Sequence, residues 1–146
     1  MVYVKYKLLT DTAMVPTKGS RFAAGFDLYA DINEKIHIQP GECVELYSGI
    51  AFEIPDGYVG LVFSRSGIST RQGLCLANGV GVIDSDYRGN VGIPIRNHSA
   101  EEQVVMPHER IAQMMIIKNP DIVLYETTEL TDTERGSGGF GSTGRR

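Results

Sequence analysis

The stretch Asn78-Gly-Val-Gly-Val-Ile-Asp-Ser-Asp-Tyr-Arg-Gly-Asn-Val-Gly92 joins two apolar, β-prone runs through a polar segment that carries glycine. Runs of this kind around turn residues predict a β-hairpin. Near its centre, Asp84 and Tyr87 stand beside backbone that glycine leaves open to close approach by a ligand. A solvated turn would have the same composition, so any function for this stretch has to be argued from the rest of the chain.

The length of 146 residues is that of one domain. A formal net charge of -4 argues against nonspecific binding to nucleic acid. Cys43 and Cys75 are far apart, with no second cysteine or histidine at a metal-binding spacing, and they indicate a reducing compartment. No apolar run reaches the length of a membrane span and the N-terminus has no signal-peptide core. We therefore expect a cytoplasmic or otherwise intracellular protein without membrane contact.

Short β-prone runs separated by turn residues occupy most of the chain and predict an all-β fold, as a sandwich, barrel or jelly roll. We expect strands over residues 2–8, 23–30, 36–38, 43–52, 58–63, 104–107 and 110–117, with a further short one over 123–125. Periodicity alone would allow a helix over 110–117. Its β-branched residues and the following Pro120 favour a strand.

The segment 64–73 is the one plausible helix, with Ser66 as its N-cap and Gly73 as its stop. An arginine and a hydroxyl at a helix N-terminus predict an anion site formed by Arg65, Ser66 and Gly67. An ordinary capped helix with a surface arginine would show the same residues.

From residue 131 the composition changes, because 135–146 holds five glycines and almost no apolar side chain. We therefore expect one domain over 1–130 and a flexible C-terminal tail over 131–146. Glycine-rich backbone with Arg135, Ser142 and Thr143 is suited to wrapping phosphate oxygens, and the ring of Phe140 is suited to stacking on a planar base. A solvating extension is the alternative.

Three further side chains have chemistry that a nucleotide site would use. Asp84 is a candidate general base toward water, and Asn78 carries both a donor and an acceptor suited to a pyrimidine edge. Asp27 is a carboxylate within an apolar strand, satisfied either by nearby backbone or by the water shell of a metal. A Walker-type phosphate loop, a metalloprotease helix and a nucleophile elbow are all absent from the sequence.

Taken together, five ordered segments resemble the motifs of trimeric deoxyuridine triphosphatases: Ala24-Gly-Phe-Asp-Leu28, Ser64-Arg-Ser-Gly67, Gly81-Val-Ile-Asp-Ser-Asp-Tyr-Arg-Gly89, Arg110-Ile-Ala-Gln-Met114 and Arg135-Gly-Ser-Gly-Gly-Phe-Gly-Ser-Thr-Gly144. The resemblance covers nearly the whole chain, and its third and fifth segments are long and specific. It implies a distorted jelly roll (a β-clip) assembled as a homotrimer with three sites at subunit boundaries. The reaction it implies is hydrolysis of dUTP to dUMP and pyrophosphate with Mg²⁺.

The resemblance also implies roles for individual residues. Asp84 would activate the water that attacks the α-phosphorus, and Tyr87 would crowd the place of a ribose 2′-hydroxyl. The nucleoside would be read by Asn78 and the backbone of Gly81, Val82, Ile83 and Gly92. The phosphates would be held by Arg65, Ser66, Gly67 and Gln113, and from another subunit by a closing tail with Arg135, Phe140, Gly141, Ser142 and Thr143. Asp27 would reach the metal only through water.

Two departures from the family pattern and two other functions stay open. Ser64 stands where many members have proline, and Asn78 matches only one branch of the family. A dCTP deaminase shares the fold and resembles the Ser-Arg-Ser segment. Its attack on the base, however, would require a glutamate beside the base, where this sequence has Asp84 followed by Tyr87. A non-enzymatic jelly-roll binding module would need neither Asp84 nor a closing tail.

Overall fold

The computed structural model describes residues 1–139, and in this part of the chain one short helix accompanies eleven strands. In order, the elements are β1 Lys5–Leu8, β2 Phe26–Tyr29, β3 Ile36–Ile38, β4 Cys43–Tyr47, β5 Ile50–Glu53, β6 Tyr58–Ser64, α1 Ser66–Arg71, β7 Leu74–Leu76, β8 Val80–Ile83, β9 Gly92–Asn97, β10 Gln103–Val105 and β11 Arg110–Lys118. The prediction of an all-β fold is confirmed, as is the choice of a strand over a helix for residues 110–117.

The strands form four antiparallel sheets. The larger two have the orders β2-β11-β6-β8 and β4-β9-β7, and the smaller two are the pairs β1-β5 and β10-β3. One hydrophobic cluster joins these sheets: Leu28, Val62 and Met114 enter it from the four-stranded sheet, and Ile93 and Ile95 from the three-stranded one. Alternation on β9, where Ile93 and Ile95 are buried and Arg96 is exposed, fixes which face of that sheet packs inward.

The stretch around Asp84 is not a hairpin, so that prediction is wrong. Strand β8 pairs with β6 in the four-stranded sheet, whereas β9 pairs with β4 and β7 in the three-stranded sheet. Alternating apolar residues identify a strand, but its backbone groups can be satisfied equally well by a distant partner as by the next strand along the chain. Residues 84–91 therefore cross from one sheet to the other.

Internal hydrogen bonds hold this crossing segment in shape. The Tyr87 hydroxyl donates to the Asn90 carbonyl at 2.9 Å. The Arg88 guanidinium donates to the carbonyls of Ser85 and Tyr87, at 2.6 and 3.0 Å. The segment ends where the Val91 amide donates to the Ile50 carbonyl at 3.0 Å. These hydrogen bonds give the crossing a defined form without a β-ladder.

Two further strand predictions need correction. Residues 43–52 form two strands instead of one, because Gly49 at φ +69° turns the chain and a Cβ there would overlap the Asp31 carboxylate. Strand β7 was not predicted, since a three-residue run is too short to show a period. Residues 123–125 form no strand, and Ile122, Val123, Leu124 and Tyr125 are exposed.

The helix is confirmed, but its first turn differs from the prediction. Arg65, in an extended conformation, is the N-cap and makes no side-chain capping bond, while Ser66 is already the first helical residue. Gly73, at φ +68°, follows the C-cap and stops the helix as predicted. Within residues 1–139, no helix has the length and apolar character needed to cross a membrane.

Candidate functional site

A cavity of about 530 Å³, here called the cationic pocket, lies at one end of the four-stranded sheet. It lies where the loop before β2 approaches the junction of β6 with α1 and the start of β11. Its lining comprises Gly19, Ala23, Ala24, Gly25, Asp27, Arg65, Ser66, Gly67, Arg71, Arg110 and Gln113. The structure thus brings together five candidates from the sequence that are up to 86 positions apart, from Asp27 to Gln113.

Asp27 is the single carboxylate of this lining and it is only 8% exposed. Its Oδ1 accepts a hydrogen bond from Arg65 Nε at 3.0 Å, and its Oδ2 accepts one from Arg110 Nη1 at 3.2 Å. The partners of Asp27 are therefore two guanidinium groups, and the expectation that nearby backbone satisfies this side chain is wrong. A buried carboxylate needs such partners, because an unpaired charge would carry a large desolvation penalty.

Gln113 is held at the floor of the cationic pocket by Ser64. Its Nε2 donates to the Ser64 carbonyl at 3.2 Å, and a Cβ at Gly25 would lie 3.2 Å from its Oε1. Glycine at position 25 therefore leaves the room that the Gln113 amide occupies. Ser64 makes a second contact, since its Oγ accepts a hydrogen bond from the Leu76 amide at 2.8 Å. A proline at position 64 could not make this second contact.

The charge of its lining makes the cationic pocket suited to an anion. Three arginines and one aspartate give the lining a formal net charge of +2, since 3 − 1 = 2. Guanidinium groups bind phosphate oxygens through directed, charge-assisted hydrogen bonds. Among residues 1–139 no group of three or more His, Cys, Asp or Glu side chains could hold a metal ion. The cationic pocket offers no direct ligand set for Mg²⁺, so an ion that fits here would arrive with phosphate and keep most of its waters, because such an ion needs few protein ligands.

The second pocket, here called the β8 pocket, is a cavity of about 240 Å³ on the last strand of the four-stranded sheet. Every residue of its lining was a candidate from the sequence: Asn78, Gly81, Val82, Ile83, Asp84, Tyr87 and Gly92. A Cβ at Gly81 would lie 3.2 Å from the Val62 Cβ, tighter than an ordinary contact, and one at Gly92 would face Tyr47 and Glu45. Two of its seven lining residues are thus glycines, where the backbone has no side chain.

Two side chains complete the β8 pocket. Asp84 is exposed and, among the described residues, its carboxylate has no ion pair or side-chain hydrogen bond. Tyr87 is 43% exposed, and its hydroxyl is engaged by Asn90, so the ring is oriented. The Asp84 carboxylate is thus free to accept a proton, and the Tyr87 ring can contact a sugar or a base.

Sequence reasoning missed several residues of these surroundings. Arg110 begins one of the motifs quoted above, and Arg71 lies one helical turn after Gly67. The available signal was therefore the position of each arginine relative to a candidate residue close to it in sequence. Tyr47 lies beside Gly92 in the neighbouring sheet, where a hydrogen bond to the Glu45 carboxylate raises the pKa of the Tyr47 phenol. Its contact with Gly92 depends on the pairing of β4 with β9, which no local pattern reveals.

The tail candidates have a different outcome. Arg135 is exposed, donates from Nε to the Gly138 carbonyl at 3.0 Å, and lines neither pocket. Phe140, Gly141, Ser142 and Thr143 lie outside the described residues. The two pockets themselves share no lining residue.

Comparison of the chain with known proteins gives a consistent result. The dUTPase family model matches residues 11–144. The deoxyuridine 5'-triphosphate nucleotidohydrolase of Syntrophotalea carbinolica is 45% identical over 143 residues, covering 98% of this chain and 97% of that protein. The protein of the same name from Yarrowia lipolytica is 42% identical over 143 residues, covering 97% of this chain and 88% of its own.

Solved structures agree in fold. A mutant dUTPase of Staphylococcus bacteriophage 80alpha, solved with dUpNHpp, has a TM-score of 0.85 at 30% identity, covering 97% of this chain and 98% of that one. A mutant dUTPase from phage phi11 of S. aureus, in which a structural Mg(II) ion is coordinated, has a TM-score of 0.77 at 26% identity, covering 87% and 97%. The class that the fold defines is the dUTPase-like jelly roll, as predicted. With the family model matched over most of its length, the chain belongs to the dUTPase family.

Proposed function

We propose that this protein hydrolyses dUTP to dUMP and pyrophosphate, supplying dUMP and limiting uracil in DNA. The observation that carries the proposal is the β8 pocket, where the free carboxylate of Asp84 stands beside the open backbone of Gly81 and Gly92. The cationic pocket with its net charge of +2 supports a polyphosphate substrate, and membership of the dUTPase family supports the choice of dUTP.

Asp84 acts as the general base. Its carboxylate orients a water molecule and takes its proton as the water oxygen attacks the α-phosphorus, and pyrophosphate leaves. No protein nucleophile is required, because positioning and charge neutralisation supply most of the catalysis in phosphoryl chemistry. The absence of a competing ion pair on Asp84 within residues 1–139 supports this role.

The β8 pocket selects the nucleoside. Backbone from Gly81 to Ile83 with the Asn78 amide pairs with the uracil edge, and a cytosine amino group there would leave buried groups mispaired. Close backbone leaves little room for the methyl group of thymine. Tyr87, oriented by its bond to Asn90, packs on the deoxyribose where a 2′-hydroxyl would have to fit.

The cationic pocket binds the phosphates. Arg65 is already oriented by Asp27, and Gln113 by Ser64, so both reach the substrate with little loss of side-chain entropy. Ser66 and Gly67 add a hydroxyl and open backbone. Mg²⁺ would supply charge neutralisation on the phosphates when bound, and Asp27, with both its oxygens on arginines, would reach such an ion only through water.

The active protein is a homotrimer with its sites at subunit boundaries. Two observations support this arrangement: the cationic and β8 pockets share no lining residue, and Ile122 to Tyr125 present an exposed apolar run that association would cover. The domain is assigned to residues 1–130, and residues 131–146 follow it as a glycine-rich tail. Arg135, Phe140, Gly141, Ser142 and Thr143 close over the substrate of another subunit and exclude water.

Pyrophosphate release from dUTP, dTTP, dCTP, dUDP and UTP, each with Mg²⁺ and with a chelator, tests the proposal. We expect strong preference for dUTP and a large loss on chelation. Comparable kcat/KM values for dUTP and dTTP would contradict the β8 pocket as a uracil site, and ammonia release from dCTP would indicate the deaminase chemistry instead.

The assembly and tail are tested together. A truncation after Glu134 should keep the size in solution of the full protein, because the removed segment carries almost no apolar side chain that could join a core. Its hydrolysis of dUTP should nevertheless be severely reduced. Full activity in a correctly assembled truncate would make the tail a solvated extension.

A further inference from the structure

We infer that Arg71 is a specificity-determining residue that binds the phosphates beyond the first one, so that it distinguishes a triphosphate from the monophosphate product. The inference rests on the proposed function, since it assumes that the cationic pocket holds the phosphate chain. Arg71 belongs to none of the motifs quoted from the sequence, and it enters the pocket only because of where α1 lies.

Charge pairing separates Arg71 from the other two arginines of the pocket. Arg65 and Arg110 share the single carboxylate of Asp27, at 3.0 and 3.2 Å. Within residues 1–139, no ion pair includes Arg71. Asp27 therefore offsets part of the charge that Arg65 and Arg110 present to a ligand, whereas Arg71 presents its full charge.

The helix aims Arg71 at an open space. Arg71 stands four residues after Gly67, so the two lie on the same face of α1, about 6 Å apart along its axis. Helical side chains point toward the preceding turn, which directs the Arg71 side chain over Gly67. Both residues line the cationic pocket.

Neither the backbone nor the packing demands glycine at position 67. Its φ is not in the left-handed region, and a Cβ there would have only Arg65 Nη1 within 4 Å, at an ordinary 3.6 Å. Glycine within a helix is less favourable than alanine. The bare backbone at Gly67 thus leaves space beneath Arg71 for an anionic group, and a pocket of about 530 Å³ lined by three arginines suits a chain of phosphates more than a single one.

A surface arginine that merely stabilises the C-terminal end of α1 is the competing explanation, since a cation is favourable there. The two roles differ in one measurable quantity. A stabilising role changes the melting temperature slightly and leaves ligand selectivity alone. A binding role changes the ratio of affinities for a polyphosphate and for dUMP.

The experiment compares Arg71→Gln, Arg71→Lys and Arg65→Gln in the full-length protein, with Arg96→Gln as a control that removes the same charge outside both pockets. The inhibition constants of inorganic tripolyphosphate and of dUMP against dUTP hydrolysis are measured for each. We expect Arg71→Gln to raise the inhibition constant of tripolyphosphate by roughly 10–100-fold, while the inhibition constant of dUMP changes less than about twofold. Arg71→Lys should restore part of the loss, and Arg96→Gln should match the wild type.

The arms separate failure of this inference from failure of the proposed function. If Arg65→Gln weakens inhibition by tripolyphosphate and Arg71→Gln does not, the inference about Arg71 is overturned, while the assignment of the cationic pocket to phosphate is retained. Equal losses for tripolyphosphate and dUMP in Arg71→Gln would also overturn it. If tripolyphosphate fails to inhibit the wild-type protein, both the inference and the assignment of the cationic pocket fall.

Discussion

The two pockets are built in opposite ways. In the cationic pocket, recognition depends on side chains whose charges are partly neutralised before any ligand arrives, because Arg65 and Arg110 both contact Asp27. In the β8 pocket, recognition depends on backbone that Gly81 and Gly92 leave bare, and its one carboxylate has no such partner. Two of the three arginines of the cationic pocket are thus paired with a carboxylate, whereas two of the seven residues of the β8 pocket have no side chain.

This difference separates the tasks of the two pockets. Paired guanidinium groups can exchange one anion for another, which suits phosphates that bind and leave. Bare backbone discriminates between bases by fixed donors, acceptors and space, which suits a single nucleoside. On the proposed function, the unpaired carboxylate of Asp84 is the general base at the nucleoside end.

The largest expected effect comes from the unpaired carboxylate. Asp84→Asn keeps the shape of the β8 pocket and removes the proton acceptor, so kcat should fall by about 10²–10⁴-fold. Binding of a nonhydrolysable dUTP analogue, measured by calorimetry, should persist. Near-normal turnover in this variant would mean that the β8 pocket binds without catalysing.

The next effect concerns the paired carboxylate. Asp27→Asn leaves Arg65 and Arg110 without their acidic partner in a half-buried position. We expect the free energy of unfolding to fall by roughly 1–3 kcal/mol, less than for a deeply buried pair because solvent reaches both arginines. Urea titration gives the value, with the exposed Asp56→Asn as a control. Equal stability of the two variants would show that Asp27 is not needed to hold the arginines.

Ser64 connects the two pockets through two hydrogen bonds. Its carbonyl accepts from Gln113 Nε2, and its hydroxyl oxygen accepts from the Leu76 amide, on the strand that leads to Asn78. Ser64→Ala removes only the second contact and leaves the Leu76 amide without a partner. The expected loss in the free energy of unfolding is about 0.5–1.5 kcal/mol. Ser69→Ala, which loses a bond to a helix carbonyl, is the matched comparison. A loss no greater than in Ser69→Ala would make the serine at position 64 incidental.

Salt should produce the smallest change and separate the pockets without any mutation. Raising ionic strength from about 0.1 M to 1 M shortens the Debye length from about 10 Å to 3 Å and should weaken tripolyphosphate binding several-fold. Binding of deoxyuridine, which carries no charge, should change little. Calorimetry with the two ligands gives both values, and parallel weakening would contradict the division into charge and shape.

The sequence predicted the β8 pocket better than the cationic one, and distance along the chain explains why. The seven residues that line the β8 pocket fall between Asn78 and Gly92, so one local pattern contains them all. The ion pairs of Asp27 join residues 38 and 83 positions apart, and no local pattern shows which guanidinium groups a carboxylate will meet. Arg71 was missed because it lies outside the quoted motifs, although its spacing from Gly67 on α1 was an available signal.

The errors in the fold prediction have the same origin. The apolar runs around Asp84 were correctly identified as strands, but their pairing with β6, β4 and β7 is set by packing and not by adjacency. The break at Gly49 follows from the nearby Asp31 carboxylate, which only the folded chain brings there. Local composition identified the strands, whereas contacts between distant residues determined their partners.

The crossing of residues 84–91 between two sheets has a consequence for heat inactivation. Asp84 immediately follows β8 in one sheet, and Gly92 begins β9 in the other. The position of Asp84 relative to Gly92 therefore depends on how the two sheets pack against each other. A slight loosening of this packing would move Asp84 away from Gly92 while each sheet kept its own backbone hydrogen bonds. On heating, turnover should then decline at a temperature a few degrees below the one at which the strands melt. Loss of activity would therefore report that the two sheets have moved apart before either sheet unfolds.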